Sequence, residues 1–271
     1  MNMTPSQASE GKGRPPRSAP FPTVNLGGLP TVVATRKQFA ELMVNDCRLA
    51  RQSDPAPLPK LVFSSNGQGI SLAGRDTAFF EAMLQADMIH ADGMPLVYAS
   101  RLFTRKPLQE RIATTDFFHD AAAAAIDADL SFFMMGGTEA QNVAACAAAQ
   151  SLYPKLRLAG RRNGYFKREE EPDICAEIVA SGADVLWVAL GKPLQEYWSV
   201  RNRERLRGIG WIKTCGGLFD FLGGGVKRAP GWVQTIGFEW AWRTAQEPQR
   251  LGWRYLVTNP HAIYRLARYS G

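Results

Sequence analysis

From about Leu130 to Gly217 the chain alternates continuous apolar runs with helical segments, and this alternation limits its fold more than any other feature. LSFFMMGG reads as a strand ending in paired glycines, and TEAQNVAACAAAQSLYP as a helix. KLRLAGRRNGYF is a strand and loop, EPDICAEIVASG a helix, ADVLWVALGKP a strand, LQEYWSVRNRERL a helix and GWIKTCGG a last strand. Strands that are apolar along their whole length are covered on both faces, and strand–helix alternation makes them parallel. The expected fold is α/β, a Rossmann-like, largely parallel sheet with helices on both faces. Ligands of such sheets bind outside the carboxyl ends of the strands. The loops of interest are therefore Ser64–Gly69, Ala91–Gly93, Gly136–Thr138, Arg161–Tyr165, Gly191–Gln195 and Cys215–Gly217.

The first half is read more coarsely. TVNLGGLPTVVAT is a hairpin around Gly-Gly, Thr35 caps a helix running to about Leu49, and KLVFSSNGQG is a buried strand with a polar loop. A helix and the short strand DMIHADG follow. Residues 1–20 are polar, rich in Pro and Gly, and lack the apolar stretch of a secretory signal, so a disordered tail is expected. Residues 21–228 are read as the α/β core, which would carry any catalytic site. After Ala229 there is helical periodicity and no strand run; four of the seven tryptophans (Trp232, Trp240, Trp242, Trp253) lie there among arginines. Residues 229–271 are read as a C-terminal helical, membrane-associating appendage.

Composition removes several chemistries. The net charge of +7 favours an anionic partner without choosing between nucleic acid, phosphate and an acidic membrane face. Three histidines and four cysteines, with no CxxC pair, leave little material for a zinc site or a His-based triad, so no metal and no cofactor are expected. No run of 18 apolar residues offers a spanning helix. Asp127 and Asp129 imitate a DxD metal motif, but they precede a strand and so sit at its amino end, away from the ligand edge.

Asp92, in HADGMP at a strand's carboxyl end, is placed either to act as a general base or to cap the next helix. Gly136 and Gly137 open a helix whose N–H groups are candidates for holding a phosphate, or simply form a tight turn. In GKPLQE, Gly191, Lys192, Gln195 and Glu196 offer the cation, amide and carboxylate that a sugar diphosphate needs, or an ordinary helix start. Arg243, Arg250 and Arg254 would share a face on one continuous helix, although Pro248 is placed to restart it.

Taken together, ADG with Asp92, ERIATTD (Glu110 to Asp116), GKPLQEYW, CGGLFDFLGGGVKRAP and FEWAWRTAQEPQRLGWRYL resemble the WecG/TagA/CpsF family, glycosyltransferase family 26, from roughly Thr23 to Leu266. The resemblance implies a metal-independent, inverting transfer of N-acetylmannosamine, glucose or a related hexose. The donor would be a UDP-sugar and the acceptor an undecaprenyl-diphosphate-linked sugar, as in exopolysaccharide and other surface-polysaccharide synthesis. It implies Asp92 as base and Ser64, Asn66 and Arg111 in the pocket, with Ser64 standing where many members carry Thr. It also implies that Gln195 contacts the sugar and that Arg243, Arg250 and Arg254 approach the lipid diphosphate; Tyr165 and the Gly136 and Gly191 loops are added to the substrate site from their place at the strand ends. The implied location is cytoplasmic, peripheral on the inner face of the cytoplasmic membrane, with homo-oligomer formation left open. Two other readings stand beside it: a non-catalytic nucleotide-sugar-binding membrane scaffold, and a dinucleotide-dependent oxidoreductase, which the missing G-x-G-x-x-G disfavours. Nucleic acid is set aside because the arginines gather with tryptophans near one end and no known nucleic-acid module is present.

Overall fold

A computed structural model of the protein describes residues 20–271, except for the side chain of Arg250. The expected tail therefore lies, apart from Pro20, outside the described residues. The chain opens with an antiparallel hairpin, β1 (Thr23–Leu26) and β2 (Leu29–Val32). Gly27 and Gly28 supply the two positive φ angles, 60° and 95°, that its two-residue turn requires. Helix α1 (Arg36–Gln52) starts at a reciprocal cap: Thr35 accepts the Gln38 N–H, and the Gln38 side chain accepts the Thr35 N–H.

The sheet begins with β3 (Lys60–Ser65). Two helices follow where one was expected, α2 (Gly67–Ala73) and α3 (Thr77–Leu84), because Gly74 ends the first and Asp76 caps the second. Strand β4 (Met88–Ala91) leads into α4 (Met94–Phe103) and α5 (Thr114–Asp127). The expected alternation then holds: β5 (Ser131–Gly136), α6 (Glu139–Leu152), β6 (Arg157–Arg162), α7 (Glu171–Ala180), β7 (Val185–Ala189), α8 (Leu194–Asn202) and β8 (Trp211–Thr214). Helix α9 (Leu218–Leu222) closes the core, and α10 (Gly231–Thr235), α11 (Glu239–Gln246) and α12 (Pro248–Arg268) complete the chain. As anticipated, Pro248 starts a new helix.

The six strands run in the order β4-β3-β8-β7-β5-β6, every neighbouring pair parallel, so all their carboxyl ends lie at one edge. The chain crosses from β4 to the far half of the sheet and returns last through β8, which fills the centre. Alternate residues feed two apolar layers. Phe63, Ile89, Leu186 and Ile212 pack with Ile70, Phe79 and Trp198, while Met88, Trp187 and Trp211 pack with Phe39, Phe117 and Ala121. Truncating one of the fully buried aromatics to Ala should cost about 3–5 kcal/mol. The distal half of α12 belongs to this packing. Ala262 and Leu266 are buried in the first layer, and the Tyr269 carbonyl accepts the Gly28 N–H of the hairpin at 3.0 Å. Among the described residues, no helix is long and apolar enough to cross a membrane.

Candidate active site

A cleft of about 780 Å³ lies along the carboxyl edge of the sheet, roofed by α11 and α12. Its size suits a substantial organic ligand. The strand ends form its floor: Ser64 at the end of β3 and Asn66 after it, Asp92 after β4, Gly137 after β5, Gly191, Lys192 and Gln195 after β7, and Cys215–Gly217 after β8. Glu239, Trp240, Arg243, Arg254 and Tyr255 come down from the C-terminal helices.

Asp92 does not cap the helix that follows it; Gly93 holds that position with no side-chain bond. Its Oδ1 instead accepts the N–H of Thr114, at the start of α5, at 2.6 Å. This fixes one carboxylate oxygen by a helix N-terminus, where negative charge is favoured. Asn66 caps α2 by accepting the Gly69 N–H at 3.0 Å. Lys192 donates to the Ser64 carbonyl and to Glu196 Oε1, both at 2.6 Å, and Gln195 donates to the same carboxylate at 2.9 Å while accepting the Gly216 N–H at 3.0 Å. The β3, β7 and β8 loops are thereby locked into one polar platform.

The sequence pattern of the glycosyltransferase WecG/TagA/CpsF family matches residues 24–270. The chain belongs to this family. It is 30% identical to the N-acetylglucosaminyldiphosphoundecaprenol N-acetyl-beta-D-mannosaminyltransferase of Bacillus subtilis (strain 168) over 186 residues, 69% of this chain and 70% of that one. It is 31% identical to the enzyme of the same name from Bacillus spizizenii over 192 residues, 70% of this chain and 72% of that one. The protein is thus a glycosyltransferase, as its resemblance implied.

Within this WecG/TagA/CpsF enzyme the expected site residues divide into three groups. Asp92, Ser64, Asn66, Arg111, Gly137, Tyr165, Gly191, Lys192, Gln195, Arg243 and Arg254 all line the cleft. Gly136 and Glu196 lie behind its wall. A Cβ on Gly136 would meet the Ala189 carbonyl oxygen at 2.3 Å, so that glycine serves the close β5–β7 contact. Glu196 is fully buried. Arg250 has no described side chain. Arg243 and Arg254 stand on different helices, α11 and α12, and converge on the cleft rather than sharing one helical face. At the start of α6 the Gly137 N–H goes to the Ala189 carbonyl and the Thr138 N–H to Gln141 Oε1. Those two donors are spent within the chain, and Gly137 contributes cleft surface.

Arg111 carries a network the sequence did not show. It donates to Glu239 at 2.9 Å and to Gln234 at 2.6 Å, both from the C-terminal helices, and to Asp116 at 3.3 Å. Arg228 bonds the same Asp116. Burial alone would raise the Asp116 pKa, but Arg228, Arg111 and Arg36 outweigh it and hold the carboxyl below its ordinary range. Asp220, held by Gln141 Nε2 at 2.6 Å, adds a cleft carboxylate. Lys213, fully buried in β8, lies beneath this floor. Burial lowers its pKa to about 8, an effect opposed by Cys215, Asp92 and Glu196 and reinforced by Lys192. A charge inside the strand WIKT was the visible sign of it; Glu239 and Asp220 sit inside quoted motifs but gain meaning only from their partners. The expected metal-like pair stays far from this chemistry: Asp129 precedes β5 and pairs with Arg157 at 3.0 Å. Among the described residues, no three His, Cys, Asp or Glu side chains gather as a ligand set.

Proposed function

We propose that the protein transfers N-acetylmannosamine or a related hexose from a UDP-sugar to a lipid-diphosphate-linked sugar in one inverting, metal-independent displacement. The observation that carries this reading is the setting of Asp92. It lies on the cleft floor with one carboxylate oxygen fixed by the Thr114 N–H, and Arg243 and Arg254 line the same cleft. In the reaction, the acceptor hydroxyl oxygen bonds to the anomeric carbon as the bond to the UDP oxygen breaks. Asp92 takes the hydroxyl proton, and UDP leaves with the electron pair. Lys192 offsets the charge that develops on the leaving diphosphate. Gln195, Ser64, Asn66, Tyr165 and Asp220 supply the hydroxyl and amide contacts a sugar nucleotide requires. Arg243 and Arg254 hold the acceptor's diphosphate as forked donors. The relatives' names supply the choice of sugars: they move N-acetyl-β-D-mannosamine onto N-acetylglucosaminyl-diphosphoundecaprenol.

Such an acceptor keeps its tail in a bilayer, so the enzyme works at the inner face of the cytoplasmic membrane. The exposed rings of Trp232 (69%) and Trp253 (74%), with Leu256 and Ile263 nearby in sequence, suit the headgroup layer. The test offers purified protein several UDP-hexoses with a short-chain lipid diphosphate bearing N-acetylglucosamine, with and without EDTA, and identifies products by mass spectrometry. A disaccharide lipid formed equally well in EDTA is the expected result. No transfer from any donor, or transfer that EDTA abolishes and magnesium restores, contradicts the proposal.

A further inference from the structure

The reading of Asp92 as base leaves one group beneath the site without a role. Among the described residues Lys213 is the only lysine or arginine that is fully buried, and no carboxylate lies within ion-pair distance of it. A buried ammonium is costly, and a sheet interior has no packing need for one. Its position is specific. Nζ donates to the Thr214 carbonyl at 2.6 Å and lies 3.5 Å from the Thr114 hydroxyl. Thr114 is the residue whose backbone N–H fixes Asp92. Lys213 thus links the carboxyl end of β8 to the start of α5, the helix whose first N–H holds Asp92. Apolar Met or Leu would fill the space more cheaply, so the charge is there for what it does to its neighbours.

We propose that Lys213 is a positioning residue for sugar transfer: its ammonium, anchored on the Thr214 carbonyl, fixes Thr114 and draws the Asp92 carboxylate into the orientation that receives the acceptor's proton. The proposal rests on Asp92 being the base. The charged and titratable groups around Lys213 are Asp92, Glu196, Lys192, Cys215 and His90. Burial pushes the His90 imidazole well below its usual range and the Cys215 thiol up to about 12. Neither titrates near pH 8, so a transition there belongs to Lys213, whose own pKa is about 8. Below that pH the ammonium is present and Asp92 is held; above it the enzyme behaves as though Lys213 were uncharged.

The experiment compares wild type, Lys213→Met and Asp92→Asn. It uses UDP-N-acetylmannosamine and the short-chain acceptor, with kcat measured from pH 5 to pH 10. Wild-type kcat should fall across about pH 8 while KM for the donor stays level. Lys213→Met should lose about tenfold or more in kcat, a typical cost of a misoriented catalytic group. It should show no step near pH 8. Its affinity for UDP should stay within about twofold of wild type, and it should melt at or above the wild-type temperature, since an uncompensated buried charge has been removed. A Lys213→Met enzyme with wild-type kcat and an unmoved pH profile overturns the proposal. So does one that loses rate only in step with lost UDP binding and a lower melting temperature, the behaviour of a purely structural lysine. If Lys213→Met does not fold, the wild-type profile decides: no step in kcat between pH 7 and 9 overturns it. Asp92→Asn separates the two readings. If it is inactive while Lys213→Met is unimpaired, only the Lys213 proposal fails; if it keeps wild-type turnover, the base assignment fails and the proposal falls with it.

Discussion

At the amino edge of the sheet Asp184 is 3% exposed, yet both its oxygens are engaged: Arg51 grips them through two nitrogens, and the Ser131 N–H and hydroxyl add two further bonds. Asp87 accepts the Leu61 N–H and an Arg203 bond, and Asp46 accepts the Trp211 indole N–H. At the carboxyl edge some buried polar groups are left incomplete. Among the described residues, Glu196 Oε2 and Ser65 Oγ have no hydrogen-bond partner there, and Lys213 has no ion pair. Buried polar atoms are almost always satisfied, and exceptions gather where a site is prepared for something else. The two edges come from the same strands, so the difference separates carboxylates that hold the fold from charges kept for a ligand.

Four changes would break or sharpen that contrast. The largest is at the amino edge. Asp184→Ala removes a buried carboxylate that accepts four hydrogen bonds and strands the Ser131 N–H, so stability should fall by about 3 kcal/mol or more. Activity per folded molecule should hold. Denaturant melts with activity measured on the folded fraction check this, and a stable but inactive variant would place function at the wrong edge.

Next comes the pH dependence of stability. The folded pKa of Lys213, about 8, lies below its ordinary value of 10.5, so between those values the unfolded chain binds more protons than the folded one. Stability conferred by this group therefore rises with pH across that window, by on the order of 3 kcal/mol in full. Wild type and Lys213→Met should converge in stability as pH climbs from about 8 to 10. Parallel curves would show that the lysine carries no burial penalty.

Charge reversal of the cleft's roof should act on the acceptor. Arg243→Glu with Arg254→Glu should raise the acceptor KM by about tenfold to a hundredfold, the scale of losing one or two charged hydrogen bonds. UDP affinity should change less than about twofold. An equal loss on both substrates would move these arginines to the donor. The smallest effect belongs to the exposed rings: Trp232→Ser with Trp253→Ser should weaken binding to phosphatidylglycerol vesicles by roughly fivefold, about 1 kcal/mol. Turnover on a short-chain acceptor in detergent should not change. Point substitutions are preferable to truncation after Pro230, because Ala262 and Leu266 of α12 are part of the core packing.

Much of the floor was legible in the sequence because its signals are local. Apolar strands such as LSFFMMGG and ADVLWVALG carry their burial in their composition, and the loops after them became the cleft. Strand order was not legible, since nothing local in GWIKTCGG states that it fills the centre of the sheet. The Arg111 network escaped for a related reason: Glu239 and Gln234 lie 128 and 123 residues away, and only the roof's return over the sheet brings them to it. The capping bond that occupies the Thr138 N–H follows from Thr138 and Gln141 three positions apart, a local signal that competes with the phosphate-binding reading of the same glycines. Lys213 was visible as a lone charge in an apolar strand, but its link to Asp92 depends on Thr114, about a hundred residues earlier (separation 99).

The central claim, that the carboxyl edge transfers sugar through Asp92, is tested most directly by the single-turnover rate of Asp92→Asn, with the enzyme in excess over UDP-N-acetylmannosamine and the acceptor saturating. The substitution keeps shape and the acceptor oxygen for the Thr114 N–H but cannot take a proton. The rate should fall by roughly 10²–10⁴-fold, while UDP affinity and melting temperature stay at wild-type values. A rate within threefold of wild type, in protein that binds UDP normally, would contradict the account.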